Sequence, residues 1–317
     1  MTRIFTIGSR GSDLALWQAN FVKICLEKEF PENCFEIRII QTTGDRVLDV
    51  ALSKIGDKGL FTQQIEDELL SGEVDFAVHS LKDLQTEQPA GLTIGAVCKR
   101  ERPNDVFISK NGDSIGDLRR GAKVATGSLR RKSQLLNYRP DLEIIDIRGN
   151  VPTRLRKFDA SDLDGMVLAY AGIHRLGFDE RISQMIPTTV MLPAVGQGAV
   201  AIEVRDTDEE VLKVAAKLDD GPTRTCITAE RAFLRRLEGG CQVPIGGHAT
   251  LGSGRVILEG MVGSPDGKIV FRETMEGPIA DAQDLGIRLA EKLIDMGAAD
   301  LLEAARAEAE NAAEATR

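Results

Sequence analysis

One local pattern occurs twice in this chain and restricts its fold more than any other feature: a β-rich run, a Gly-Ser break, then apolar residues at helical spacing. Arg3 to Ile7 gives way to Gly8-Ser9-Arg10-Gly11-Ser12, after which Leu14, Trp17, Phe21 and Ile24 recur as on a helix. Lys123 to Thr126 gives way to Gly127-Ser128 and a basic helix running through Leu136. Further strands are expected at 36–41, 74–78, 105–109, 144–147, 165–169 and 199–204, with helices around 62–70 and 209–218. Strands that alternate with helices need crossover connections, so the expectation is α/β with largely parallel, doubly wound mixed sheets. The two halves share a layout, although their sequences are too dissimilar to define a repeat.

At 317 residues the chain exceeds what one core usually organises. The α/β pattern ends near Asp219-Asp220-Gly221-Pro222, which reads as a linker. Beyond it come a helix around 225–238, a glycine-rich turn, hairpin-like strands at 255–262 and 268–273, and a last helix from about Asp281. These describe a small α+β third domain, ending in an Ala/Glu-rich tail from about Glu303 that should fray. The polar stretch from Thr42 to Gly59 has little amphipathic order and reads as a mobile loop.

No apolar run approaches the roughly 20 residues of a membrane span, and Met1 to Gly8 is too short in apolar length for a signal peptide. A cytoplasmic protein is expected. Five cysteines at irregular spacing, without a CxxC pair, suggest neither a disulfide framework nor a thiolate zinc site, and His79, His174 and His248 are too dispersed to suggest a metal. The net charge of −9 argues against nucleic acid. Yet residues 99–157 hold 15 Lys and Arg against 7 Asp and Glu, so a basic segment sits inside an acidic chain. Only Phe107 and Tyr138 could stack bases there, so the segment suits small anions better, unless it is simply a solvated basic face.

Both Gly-Ser elements place an arginine at a helix N-terminus, where backbone N–H groups and the helix dipole favour carboxylate or phosphate. Arg130 and Arg131 fall in the first turn of the second helix, where cations oppose the dipole; a bound anion would explain them and local stability would not. Arg148, before Gly149-Asn150, and Arg154 extend the same chemistry. Lys82-Asp83 follows an apolar strand at its carboxyl end; Asp83 reads either as a tuned acid facing a cationic intermediate or as half of a capping ion pair. Gly239 to Gly247 contains four glycines and a proline around Cys241, which reads as a reactive or modified thiol or as a buried structural one.

Seven motifs, in order along nearly the whole chain, resemble those of the hydroxymethylbilane synthase (porphobilinogen deaminase) family. They are Gly8 to Leu16, Lys58-Gly59-Leu60-Phe61, Val78 to Asp83, Gly127 to Arg131, Arg148-Gly149-Asn150, Pro193 to Gly198 and Gly239-Gly240-Cys241. The resemblance implies a monomer of three domains, the first two similar to type II periplasmic binding proteins with the active site in the cleft between them: 1–98 plus 199–217, 99–198, and 221–317. It also implies a dipyrromethane cofactor joined to Cys241 by a thioether, on which four porphobilinogen molecules are condensed with loss of ammonia before water releases the linear tetrapyrrole. Asp83 would be catalytic. Asp83, Lys82, Ser80, Thr126, Ser128, Arg130, Arg131, Arg148 and Gly149 would bind the cofactor, and Arg10, Ser12, Phe61, Arg148, Arg154, Arg175 and Gln197 the substrate. The 42–59 stretch would cover the cleft.

Gln85 stands where the family often has proline, and Asn104 where arginine is common, which bears on loop shape and not on the chemistry. Two rival readings remain at this stage. A non-catalytic two-lobed anion-binding protein would need neither Asp83 nor Cys241 and would more often carry an export signal. A thiol acyltransferase would want a basic partner for Cys241, and no histidine lies closer in sequence than His248.

Overall fold

The structure, a computed structural model, describes residues 3–46, 59, 61–237, 243–304 and 307. The chain opens with β1 (Ile4–Ser9), α1 (Asp13–Glu29), β2 (Cys34–Ile39), the single turn α2 (Thr43–Arg46), α3 (Gln63–Ser71), β3 (Phe76–Ser80) and β4 (Leu92–Val97). Next come β5 (Asp105–Ser109), β6 (Lys123–Ala125), α4 (Leu129–Tyr138), β7 (Glu143–Ile145), α5 (Val151–Asp159), β8 (Gly165–Ala169), α6 (Tyr170–Arg175) and β9 (Gln184–Met185). The remainder holds β10 (Val200–Arg205), α7 (Glu209–Ala215), α8 (Gly221–Arg236), β11 (Ile245–Gly252), β12 (Arg255–Gly263), β13 (Val270–Pro278) and α9 (Ala282–Leu293). By contacts the described residues form two compact units, one of 3–46, 59, 61–101 and 198–224, the other of 102–197 and the residues from 225 onward.

The first unit is built on a sheet of order β2-β1-β3-β10-β4. β1 runs parallel to β2 and β3, while β10 is antiparallel to both its neighbours. Its core joins Phe5, Phe35 and Phe76, with the first two rings stacked at 5.2 Å, to α1 and α7. The helix expected after Gly-Ser is present, but Trp17 and Ile24 are exposed; the face on the sheet is Ala15, Gln18, Ala19, Val22 and Leu26. Ala15, Ala19 and Val22 on that face let the helix axis approach the strands. Ser12 caps the helix, its hydroxyl accepting from the Ala15 N–H at 3.4 Å.

In the second unit the sheet order is β7-β6-β8-β5-β9, with β6 parallel to β7 and β8, and β5 antiparallel to β8 and β9. Position for position this is the first sheet again. In each, a βαβαβ run supplies three parallel strands, and an antiparallel strand from outside that run is inserted beside them. The second unit also carries the antiparallel sheet β11-β12-β13, packed with α8 and α9 around Phe233, Leu258, Leu285 and Leu289. Arg272 fastens this α+β module to the second sheet's segment by donating to the carbonyls of Thr188 and Thr189 at 2.7 and 2.8 Å. Glu230, fully buried, accepts from the N–H groups of Gly196 and Ala249, each at 2.8 Å.

Two sequence readings change. Asp219 to Pro222 is no slack linker: α8 already begins at Gly221, and Asp219 accepts from the Val97 N–H and from Arg224. The glycine-rich turn gives way to strand β11 from Ile245, where glycines admit close neighbours: Gly247 donates its N–H to the Pro193 carbonyl at 3.0 Å. Most of the Thr42 to Gly59 stretch and of the tail beyond Glu303 lies outside the described residues.

Candidate active site

β1 and β3 run parallel side by side, so their carboxyl ends emerge at one edge of the sheet. Arg10 follows the first, and a single 3-10 turn, Leu81–Asp83, follows the second. The resulting pocket is lined by Arg10, Ser12, Phe61, Ser80 and Asp83 among the expected residues. Lys82 is half-buried beside it and does not line it. The Arg10 guanidinium lies over the Phe61 ring at 4.2 Å, in cation–π contact. Phe61 in turn rests where any side chain at Gly44 would stand, which is why α2 carries glycine there. The Asp83 carboxylate is exposed and open to a ligand.

Two buried polar residues that sequence reasoning missed lie in the pocket wall or directly behind it. Gln18, 2% exposed on the inner face of α1, donates to the Ser80 hydroxyl at 2.8 Å and so fixes it. Glu203 stands fully buried in the apolar strand β10, where its Oε2 is 3.2 Å from His79 Nε2. The signal for Glu203 was present, since a lone charge inside an apolar strand is costly unless partnered.

In the second unit Arg130 and Arg131 are both buried and converge on Asp105 of β5, which has no solvent exposure. Arg130 Nη1 donates to Asp105 Oδ2 and to the Leu192 carbonyl, each at 2.7 Å. Arg131 donates through Nε and Nη2 to Asp105 Oδ1 and through Nη1 to the Val167 carbonyl. Gln197 Nε2 reaches the same carboxylate at 2.9 Å. The anion that two guanidiniums in a first helical turn demand is thus supplied first by the fold itself, through a tertiary contact with β5. One carboxylate between two guanidiniums still leaves one positive charge.

Ser128 caps α4 by accepting from the Arg131 N–H, and the Thr126 hydroxyl accepts from the Ser128 N–H at 3.2 Å, so both shape the turn that carries the arginines. Gly149 has φ +117°, a conformation that glycine alone adopts without strain, and its carbonyl accepts from Arg154 Nε at 2.7 Å. Arg148 pairs with Asp146 at 3.2 Å, and Arg175 ends α6 half-buried. Cys241, with Gly239, Gly240, Lys58 and Leu60, lies outside the described residues. Cys25, Cys34, Cys98 and Cys226 form no disulfide, and among the described residues no group of His, Cys, Asp and Glu is arranged to hold a metal. No described helix is long and apolar enough to cross a membrane.

Mixed α/β sheets, a carboxylate and a cation in one pocket at the strand ends, and an arginine cluster with residual positive charge together suit a protein that handles small anionic molecules. Known proteins make this specific. The family "Porphobilinogen deaminase, dipyromethane cofactor binding domain" matches residues 5–213, and "Porphobilinogen deaminase, C-terminal domain" matches 224–295. A porphobilinogen deaminase of Pelotomaculum thermopropionicum is 53% identical over 97% of this chain and 99% of its own length. One from Chlorobium phaeobacteroides is 52% identical over 95% and 98%, and one from Brevibacillus brevis 52% identical over 93% and 96%. A solved substrate-binding domain of a putative molybdenum ABC transporter from Clostridium difficile, 9% identical over 69% of this chain and 93% of its own, has a TM-score of only 0.42 and decides nothing. The chain belongs to the porphobilinogen deaminase family. Its cofactor is therefore a dipyrromethane, and the donor set fits one: a group bearing several carboxylates suits guanidiniums that their own carboxylate leaves net positive.

Proposed function

We propose that this chain is a transferase that joins four porphobilinogen molecules head to tail and releases the linear tetrapyrrole hydroxymethylbilane. The observation that carries this reading is the pocket holding Arg10, Phe61, Ser80 and the exposed Asp83 at the ends of two parallel strands. Each addition breaks a C–N bond, so that ammonia leaves, and forms a C–C bond as the pyrrole α-hydrogen departs as a proton. Asp83 is the carboxylate that stabilises the cation left by ammonia and holds the pyrrole N–H. Arg10 takes a substrate carboxylate, Phe61 stacks near the incoming ring and orients Arg10, and Ser80, fixed by Gln18, adds a polar contact. Ser12, whose hydroxyl accepts from the Ala15 N–H as the cap of α1, keeps its O–H to donate to a substrate carboxylate.

The dipyrromethane, when bound, supplies the pyrrole carbon from which the chain grows. Cys241 holds it by a thioether, and its carboxylates are met by Lys82, Thr126, Ser128, Arg130, Arg131, Arg148 and Gly149; Arg154, Arg175 and Gln197 serve the growing product. Three of the other four thiols suit this role poorly. Burial pushes the Cys25 thiol up despite Lys28, and Cys98 and Cys226 are buried. In this reading the chain is a cytoplasmic monomer with domains at 1–98 plus 199–217, 99–198 and 221–317.

Intact mass tests it. Purified protein should exceed its sequence mass by one covalent dipyrrole, and Cys241→Ser should lose both the excess and turnover of porphobilinogen. An active enzyme of unmodified mass would overturn the cofactor assignment.

A further inference from the structure

Three buried ionisable side chains from three elements come together in the first unit, several of their polar atoms without a hydrogen-bond partner among the described residues. Glu66 comes from α3, His79 from the end of β3 and Glu203 from β10, and they are 4%, 6% and 0% exposed. His79 Nε2 and Glu203 Oε2, 3.2 Å apart, are in ion-pair range without the alignment of a hydrogen bond. Among the described residues Glu66 Oε1 and both Glu203 oxygens also lack a hydrogen-bond partner. The register pairs Ala201 with His79, which puts His79 and Glu203 on one face of the sheet. Against the same strands α3 packs Ile65, Glu66 and Leu69.

Buried polar atoms are nearly always satisfied, and two ionised carboxylates without donors in an apolar interface are among the costliest arrangements a fold can hold. A retained proton removes most of that cost. We propose that Glu66, His79 and Glu203 form a proton-sharing positioning network that holds the end of β3, and with it Ser80 and Asp83, for the reaction. The inference rests on the catalytic reading of Asp83 given above.

Glu66 is the member whose neutral form its surroundings favour. Burial pushes its carboxyl up and Glu203 and Asp67 push in the same direction, while Thr62 and His79 only partly oppose them. The groups that face it are therefore His79 from β3, Glu203 from β10, and Thr62 and Asp67 from its own segment; β1 contains no titratable residue. The network also touches the site directly, since His79 and Thr62 line the pocket together with Arg10 and Asp83.

The test uses the intact holoenzyme. Glu66→Gln replaces a neutral acid by a neutral amide of the same shape, so kcat at neutral pH should stay within about threefold of the parent. Rising pH ionises Glu66 and breaks the network, so the alkaline limb of the kcat profile should move upward in Glu66→Gln, and the infrared band of a protonated carboxylic acid should vanish. Glu203→Gln leaves His79 unpaired and should lower kcat by about tenfold or more with little change in KM. If that variant fails to fold, the two Glu66→Gln readouts decide. A carboxylic-acid band that persists in Glu66→Gln, or a pH profile superimposable on the parent's, would overturn the network. Absence of porphobilinogen turnover in the unmutated holoenzyme would sink the catalytic reading instead, with the infrared result still reporting on the network.

Discussion

Asp105 Oδ1 accepts from both Nε and Nη2 of Arg131, at 3.0 and 2.7 Å, at a place where the carboxylate has no access to solvent. Removing one member of such a pair costs more than the pair contributes, because the charges left behind stay buried. Asp105→Asn is expected to lower unfolding free energy by about 3–5 kcal/mol, read from urea titration. A variant as stable as the parent would show that the buried pair does not stabilise the fold.

The same carboxylate sets an acid limit. Burial alone would raise it, but the charges and hydrogen bonds of Arg130 and Arg131 outweigh burial and hold it far below the usual range. A folded-state value below the unfolded one contributes stability that is complete above about pH 4 and is lost as pH falls further. Between about pH 4 and 2, the parent should therefore lose stability more steeply than Asp105→Asn, measured by denaturation at each pH.

Gly44→Ala would push a methyl group into the Phe61 ring and so shift Arg10. Displacement of a binding group by about 1 Å can cost up to a hundredfold in rate, so kcat/KM for porphobilinogen should fall by roughly ten- to a hundredfold. Unchanged kinetics would mean that Phe61 has no role in orienting Arg10.

Asp83 is exposed at the end of a 3-10 turn, so Asp83→Ala should leave unfolding free energy within about 0.5 kcal/mol of the parent while abolishing turnover. Near-normal turnover would remove Asp83 from the chemistry.

Ser80→Ala strands the buried Gln18 amide, at a cost of about 1–3 kcal/mol. Adding Gln18→Leu should recover part of that loss, because the orphaned amide goes with it. A double-mutant cycle with no coupling would contradict the contact.

Much of the architecture was legible along the chain. Glycine-serine breaks between β-rich and helically spaced runs located both sheets, β5 and β8 have the expected bounds, and Arg10, Phe61, Ser80 and Asp83 do share a pocket. Local patterns govern such features: backbone propensity, turn chemistry and the order of strands act over a few residues. They could not show which strand completes each sheet, since β10 joins its sheet after the whole of the second has been laid down.

What only the tertiary structure decided is how buried charge is balanced. The sequence showed Arg130 and Arg131 as two cations in search of an anion, and it took the fold to bring Asp105 to them from 25 residues away. Likewise Glu66, His79 and Glu203, far apart in the chain, become neighbours only where α3 packs against β3 and β10. Electrostatic energy in a buried site depends on distances of a few ångström and on exclusion of water. Neither is a property of residue order; both arise when the elements pack.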